Sequence, residues 1–142
     1  MIDNILIEKI YKEDRRSIAR AISIIESDNF SASDYLKELH KQVGNAYRIG
    51  ITGPPGAGKS TITNHLTKHL RKQNKKVGII AVDPTSPFTG GALLGDRVRM
   101  TDIGMDDGVF IRSIATRGSL GGISKKAIDA ADVLDAAGFD FI

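Results

Sequence analysis

The sequence predicts an α/β protein: a mainly parallel sheet flanked by helices, preceded by an N-terminal helical extension and cut short at its C-terminus. Short apolar runs at residues 77–82 and 109–113 alternate with stretches of helical period, the pattern of βαβ units with right-handed crossovers. A glycine-rich turn joins another β-prone run, 47–52, directly to a helical stretch, whereas residues 1–46 carry helical period throughout. The expected division is a helical extension over 1–46 and the first part of a sheet domain over 47–142.

The elements follow in order. Ile2, Ile5, Leu6 and Ile10 recur at helical spacing, and Asp14 is a good N-cap for a helix that buries Ile18, Ala21, Ile22 and Ile25. Ser31-Ala32-Ser33-Asp34 offers a cap before Tyr35, Leu36, Leu39 and Val43, and Gly44 reads as a stop. These helices read as a cover packed on a core. A helix over 59–74 places Leu66 and Leu70 on one face. The run 77–82 is almost wholly apolar, as expected of a strand buried on both faces. Residues 83–108 read as a long loop, 109–113 as a strand, and 121–137 as a helix carrying Ile123, Ala127, Ala130, Val133 and Leu134. Phe139 opens a further strand.

Composition narrows the class. Among 142 residues, 20 Lys and Arg against 17 Asp and Glu give a net charge of +3; 41% are hydrophobic and 26% charged. These are values of a soluble globular domain rather than a disordered or fibrous chain. With no cysteine, disulfides, thiolate metal sites and cysteine nucleophiles are all excluded. No apolar run approaches the roughly 18 residues a membrane span needs. The first residues mix Asp3, Glu8 and Glu13 with Ile and Leu, unlike a signal peptide. The expectation is a cytoplasmic protein with no membrane partner.

The strongest motif is Gly53-Pro54-Pro55-Gly56-Ala57-Gly58-Lys59-Ser60, which fits G-x-x-x-x-G-K-[ST] between a strand and a helix. Average composition gives such a match by chance in roughly one chain of this length in two hundred. Glycines let successive backbone N–H groups converge on an anion, and the positive end of the following helix adds to the same place. Lys59 is expected to reach the β- and γ-phosphates, Ser60 to place its hydroxyl on Mg²⁺, and the loop through Thr61 to bind the nucleotide. The motif makes this a P-loop nucleoside triphosphatase fold.

Asp83 follows the 77–82 run at its carboxyl end, where ligands of open α/β sheets bind. There it is either a ligand for Mg²⁺ or water, or the cap of the Asp83-Pro84-Thr85 turn; spacing alone leaves both open. The long stretch that follows has the glycines and the Leu-Gly-Asp-Arg core of a switch segment, which makes Asp96 a second candidate for metal or water.

Four pieces stand in order: Gly53 to Thr61; Val82-Asp83-Pro84-Thr85-Ser86; Gly90-Gly91-Ala92-Leu93-Leu94-Gly95-Asp96-Arg97-Val98-Arg99-Met100; and Arg117-Gly118-Ser119-Leu120-Gly121-Gly122. Together they resemble the ArgK/MeaB family of GTPases, chaperones of methylmalonyl-CoA mutase and related adenosylcobalamin-dependent mutases, from about residue 14 to 142. The resemblance implies GTP and GDP as ligands, Mg²⁺ as cofactor, and Lys59, Asp83 and Asp96 as catalytic residues. Ser60, Asp83 and Asp96 would hold the metal. It also implies a mutase partner and, for the full-length protein, a homodimer built through a C-terminal arm. The glutamate-bearing Walker B segment, the Asn-Lys-x-Asp guanine motif and that arm are not among these residues. The chain therefore reads as the N-terminal part of a longer GTPase.

Smaller features weigh less. His65 and His69 have metal-ligand spacing on a helix but no third ligand, and read as solvated. Lys68, Arg71, Lys72, Lys75 and Lys76 are cations expected near a helix C-terminus, so no nucleic-acid partner is expected. Arg112 and Arg117 are candidates for an arginine finger, with a solvated or salt-bridged arginine as the commoner case. A P-loop kinase and a non-catalytic partner-binding fragment are the competing functional readings.

Overall fold

The computed structural model of the chain describes residues 2–27, 30–83, 101–115 and 125–142. Three helices open it: α1 (Asn4–Tyr11), α2 (Arg15–Glu26) and α3 (Ala32–Leu39), followed by a 3₁₀ turn at His40–Gln42. The carboxylate of Asp3 caps α1 by accepting from the Leu6 amide at 3.2 Å. Asp14 caps α2, accepting from the Ser17 amide at 2.9 Å and its hydroxyl at 2.5 Å. Ser31 occupies the N-cap of α3 without a side-chain bond, because its own backbone is already helical (φ −78°, ψ −16°). A capping side chain needs an extended residue there.

Beyond the phosphate loop come α4 (Lys59–Lys72), β1 (Val77–Asp83), α5 (Thr101–Gly104), β2 (Val109–Ala115) and α6 (Lys125–Ala136). The two strands pair in parallel with Val77 opposite Val109 and Asp83 opposite Ala115. Two further extended segments join them. Phe141 bridges in parallel to both Val77 and Tyr47. The Tyr47 amide donates to Asp140 O (2.9 Å), Ile142 N to Tyr47 O (2.9 Å) and Ile49 N to Ile142 O (2.8 Å). The spatial order is therefore residues 47–49, residues 140–142, β1, β2, all parallel.

Alternation along the strands divides the interior in two, as strand geometry requires. Phe110 and Ile114 face Ile10, Ile18, Ile22 and Leu39 of the N-terminal helices and Ala130, Val133 and Leu134 of α6. Val77, Ile79 and Val109 face Leu70 of α4 and Ile103 of α5, with Leu66, Ile111 and Phe141 packed against them. Ile10, Ile18, Ile22 and Leu39 have no exposed surface. Each contributes about 1.5–3 kcal/mol by burial. The helices before residue 46 thus share one interior with the sheet. Ionic contacts add to it: Arg112 pairs with Glu26 (3.2 Å), Lys76 with Glu13, and the Arg15 guanidinium lies 5.5 Å from the Phe110 ring centre.

Some expectations needed correction. Residues 83–108 are not all loop: α5 forms at Thr101–Gly104 because Ile103 buries against α4, and the first residue, Asp83, belongs to β1. The 77–83 strand is not buried along its whole length, since Val82 is 39% exposed at the carboxyl edge. Residues 47–52 are extended, but the pairing with 140–142 reaches only Ile49. The final helix is described from Lys125, and residues 121–124 lie outside the described set.

Candidate functional site

The segment 47–49 enters the sheet parallel to its neighbours, so residues 53–58 leave it at the carboxyl edge, the edge at which β1 ends in Asp83. This is where open α/β sheets take their ligands. The loop is exposed from Gly53 through Ala57. The Ala57 amide donates to Pro54 O at 3.2 Å and closes a turn. Gly56 (φ +77°) and Gly58 (φ +91°) hold left-handed conformations that cost other residues roughly 1–2 kcal/mol each. These two positions make the loop's shape depend on glycine.

Gly58 is also the N-cap of α4, and no side chain caps that helix. The first turn of a helix points its backbone amides along the axis, the arrangement that draws anions to helix N-termini. Lys59 is half-buried and folds back over the loop: its Nζ donates to Gly53 O at 2.5 Å and Pro54 O at 3.2 Å. The ammonium therefore sits against the same loop that leads into the first turn of the helix. Ser60 follows, half-buried in the first turn of α4, and Thr61 is exposed beside it. Thr63 Oγ1 bonds back to Lys59 O at 2.8 Å.

Asp83 is the last residue of β1, opposite Ala115 of β2. Asp96 and Arg117 lie outside the described residues. Gly53 to Thr61 are thus brought together in one loop, and Asp83 stands on the same edge of the sheet. Arg112 is engaged elsewhere, donating to Ser23 Oγ (2.9 Å) and Glu26 (3.2 Å), so it is the salt-bridged alternative rather than a finger. His65 and His69 are both exposed, with His69 Nε2 2.9 Å from the Gln73 amide nitrogen. Among the described residues no group of three His, Cys, Asp or Glu is placed to hold a metal. Of the basic stretch, Lys68 pairs with Asp102 (3.1 Å) and Arg71 with Asp106 (3.0 Å), fastening α4 to α5 and the turn before β2.

The sequence reading passed over a cluster behind the loop. Asp132 and Asp135 sit buried on α6 among alanine, valine and leucine. Arg48 Nη2 reaches Asp132 at 2.6 Å and Asp135 at 3.2 Å. The Asp135 carboxylate also accepts the amides of Gly44, Asn45 and Ala46, each at 3.1 Å. Burial alone would raise this carboxyl, but the Gly44 and Asn45 amides, Arg48 and the Ala46 amide together hold it below the usual carboxylate range. The available signal was aspartates recurring every three residues, Asp129, Asp132 and Asp135, on a helix otherwise rich in alanine, valine and leucine.

Comparison with known proteins decides the family. The model of the methylmalonyl Co-A mutase-associated GTPase MeaB matches residues 18–142. The chain belongs to the MeaB family. A protein of Pyrococcus abyssi (strain GE5 / Orsay), named a GTPase only provisionally, is 58% identical over 142 residues; the match covers all of this chain and 44% of that protein. GTPase ArgK of Escherichia coli (strain K12) is 37% identical over 140 residues, covering 96% of this chain and 42% of its own. The mouse methylmalonic aciduria type A homolog, a mitochondrial protein, is 33% identical over 147 residues, covering 94% of this chain and 35% of its own. Among solved structures, an LAO/AO transport system kinase superposes with a TM-score of 0.73 at 26% identity, covering 99% of this chain and 43% of that one. The fold is thus the P-loop fold, and the chain spans less than half the length of these MeaB-family relatives. No helix among the described residues is long and apolar enough to cross a membrane.

Proposed function

We propose that the chain supplies the phosphate-binding half of a GTPase that serves an adenosylcobalamin-dependent acyl-CoA mutase such as methylmalonyl-CoA mutase. In this reading residues 1–46 are the helical extension and 47–142 the first part of the GTPase domain. The whole protein would work in the cytoplasm as a homodimer. The observation that carries the reading is the loop itself: an exposed turn shaped by Gly56 and Gly58, an uncapped helix behind it, and Lys59 folded over it.

Residues Gly53 to Thr61 would surround the phosphates of GTP or GDP. Lys59 would leave Gly53 O and Pro54 O for the β- and γ-phosphates, exchanging two neutral acceptors for charged ones. Hard oxygen donors suit Mg²⁺, and Ser60, Asp83 and Asp96 are the residues that would hold it. When bound, the metal neutralises charge on the phosphates. Asp83 and Asp96 would orient the water, and the partner would govern the rate by ordering the residues around Asp96. Family membership supports guanine over adenine.

The test is titration with fluorescent GTP and ATP analogues, followed by release of inorganic phosphate from GTP with and without the mutase. GTP binding at least tenfold tighter than ATP, lost in Lys59→Ala, supports the reading. Equal binding of both nucleotides, or binding indifferent to Lys59→Ala, overturns it. The kinase named among the solved structures motivates a second arm, with γ-labelled nucleotide. Label on any acceptor other than water would replace hydrolysis with phosphoryl transfer.

A further inference from the structure

The segment that feeds the phosphate loop has a weakly specified register. Residues 47–49 reach their neighbour, residues 140–142, from more than ninety positions away in sequence, so no hairpin turn sets the alignment. Apolar patterning adds little beyond the tilted contact of the Tyr47 and Phe141 rings (centroids 5.9 Å), because Tyr47 is 67% exposed, Ile49 38% and Ile51 37%. A strand with little buried on one face is prone to slip, and a slip of one residue reverses every side chain. Yet Tyr47 and Ile49 are held by three backbone hydrogen bonds in a single register.

The side chain between them is Arg48, which points the other way, onto α6. It bridges Asp132 and Asp135, and Asp135 in turn gathers the amides of Gly44, Asn45 and Ala46. Asp135 has 1% of its side chain exposed and receives four donors, which uses the acceptor capacity of a carboxylate. Gly44 (φ +111°) supplies the bend that lets consecutive amides converge on it. The helix carrying both aspartates ends one residue later at Ala136, and its chain returns as residues 140–142. One carboxylate therefore fixes the entry to segment 47–49 and stands five residues before the strand that pairs with it begins.

We infer that Arg48, Asp132 and Asp135 form a register lock that positions the phosphate loop. A slip would move Gly53 by about 3.3 Å along the sheet and turn Arg48 out to solvent. The loop would then present its amides at the wrong height relative to the carboxyl end of β1. The hydrogen bonds of Arg48 and Asp135 go to each other, to Asp132 and to residues 44–46 rather than to residues 53–61, so they are positioning residues. This inference rests on the loop being the nucleotide site.

The experiment compares Arg48→Met, Arg48→Lys and Asp132→Asn with the parent full chain. Three quantities are read: affinity for a fluorescent guanosine diphosphate, melting temperature without nucleotide, and amide exchange at Ile49 and Ile142. The lock predicts a loss of affinity of roughly tenfold or more in Arg48→Met, the scale of breaking charge-assisted hydrogen bonds. It also predicts loss of exchange protection at Ile49 and Ile142, while protection at Ile79 and Ile111 persists. Arg48→Lys, which keeps the charge but loses the planar fork, should fall between. A lowered melting temperature with unchanged affinity in the folded fraction overturns the lock, leaving only a stabilising ion pair. If Arg48→Met does not fold, the milder Arg48→Lys and Asp132→Asn decide by the same criterion. Failure of the underlying nucleotide reading is distinguishable, because then the parent binds no better than Lys59→Ala.

Discussion

Residues 44–46 and residues 53–60 are two versions of one device, separated by a short extended segment. In each, glycine at positive φ bends the backbone and precedes or includes a run of amides suited to an anion. At 44–46 the anion is the protein's own: Asp135, buried, accepts all three amides and adds Arg48. At 53–60 the loop is exposed, its helix is uncapped, and the nearest cation rests on backbone carbonyls. The first is satisfied within the fold and so is permanent scaffold. The second is held in shape by glycine geometry and the start of α4, and it stands exposed to an incoming ligand. A binding loop that must exchange its anion is here mounted on a loop whose anion never leaves.

Substitutions can break this contrast from either end. The largest effect is expected in the interior that supports both loops. Leu39→Ala removes a side chain with no exposed surface and should cost about 2–5 kcal/mol in denaturant unfolding, with nucleotide affinity of the folded protein unchanged. Lys59→Ala should act in the opposite sense. Nucleotide affinity should fall by roughly a hundredfold, the upper scale for hydrogen bonds to a charged group, with the melting temperature scarcely altered. Gly58→Ala puts a side chain at φ +91° and should cost about 1–2 kcal/mol, read both as a lower melting temperature and as weaker nucleotide binding.

Acid should distinguish the filled loop from the open one. Because Asp135 is held below the usual carboxylate range in the folded protein, its contribution is complete above its unfolded pKa of about 3.9 and fades as pH falls through the lower folded value. Asp135→Asn should therefore flatten the loss of melting temperature below about pH 4, whereas Lys59→Ala should leave that acid limb as it was. The smallest change is expected at the surface: Asp102→Asn, removing the exposed pair with Lys68, should alter stability by less than about 1 kcal/mol.

Most of the fold was legible in the sequence because it rests on local period. The isoleucines of α1 and α2 and the apolar run of β1 each repeat at the spacing of the element they form. The phosphate loop was legible because its chemistry demands glycine, lysine and serine at fixed offsets. What escaped was long-range. Nothing local marks Arg71 and Asp106, or Arg48 with Asp132 and Asp135, as partners across 35 to 87 positions. Helix α5 escaped for a similar reason: its four residues are stabilised by burying Ile103 against α4, a tertiary gain no propensity announces. Asp83 was placed correctly at a strand's carboxyl end, while Asp96 and Arg117 fall outside the described residues.

Gly58 at the head of α4 has one more consequence, for anyone engineering this protein. The standard way to stabilise a helix is a serine, threonine or aspartate at its N-cap, which typically gains about 1 kcal/mol over an uncapped start. Here such a residue would be strained at φ +91°, and its oxygen would seek the same amides that make the loop attractive to phosphate. A screen for heat resistance alone would be repelled from this position. Position 58 is where durability and ligand capture compete for the same hydrogen-bond donors.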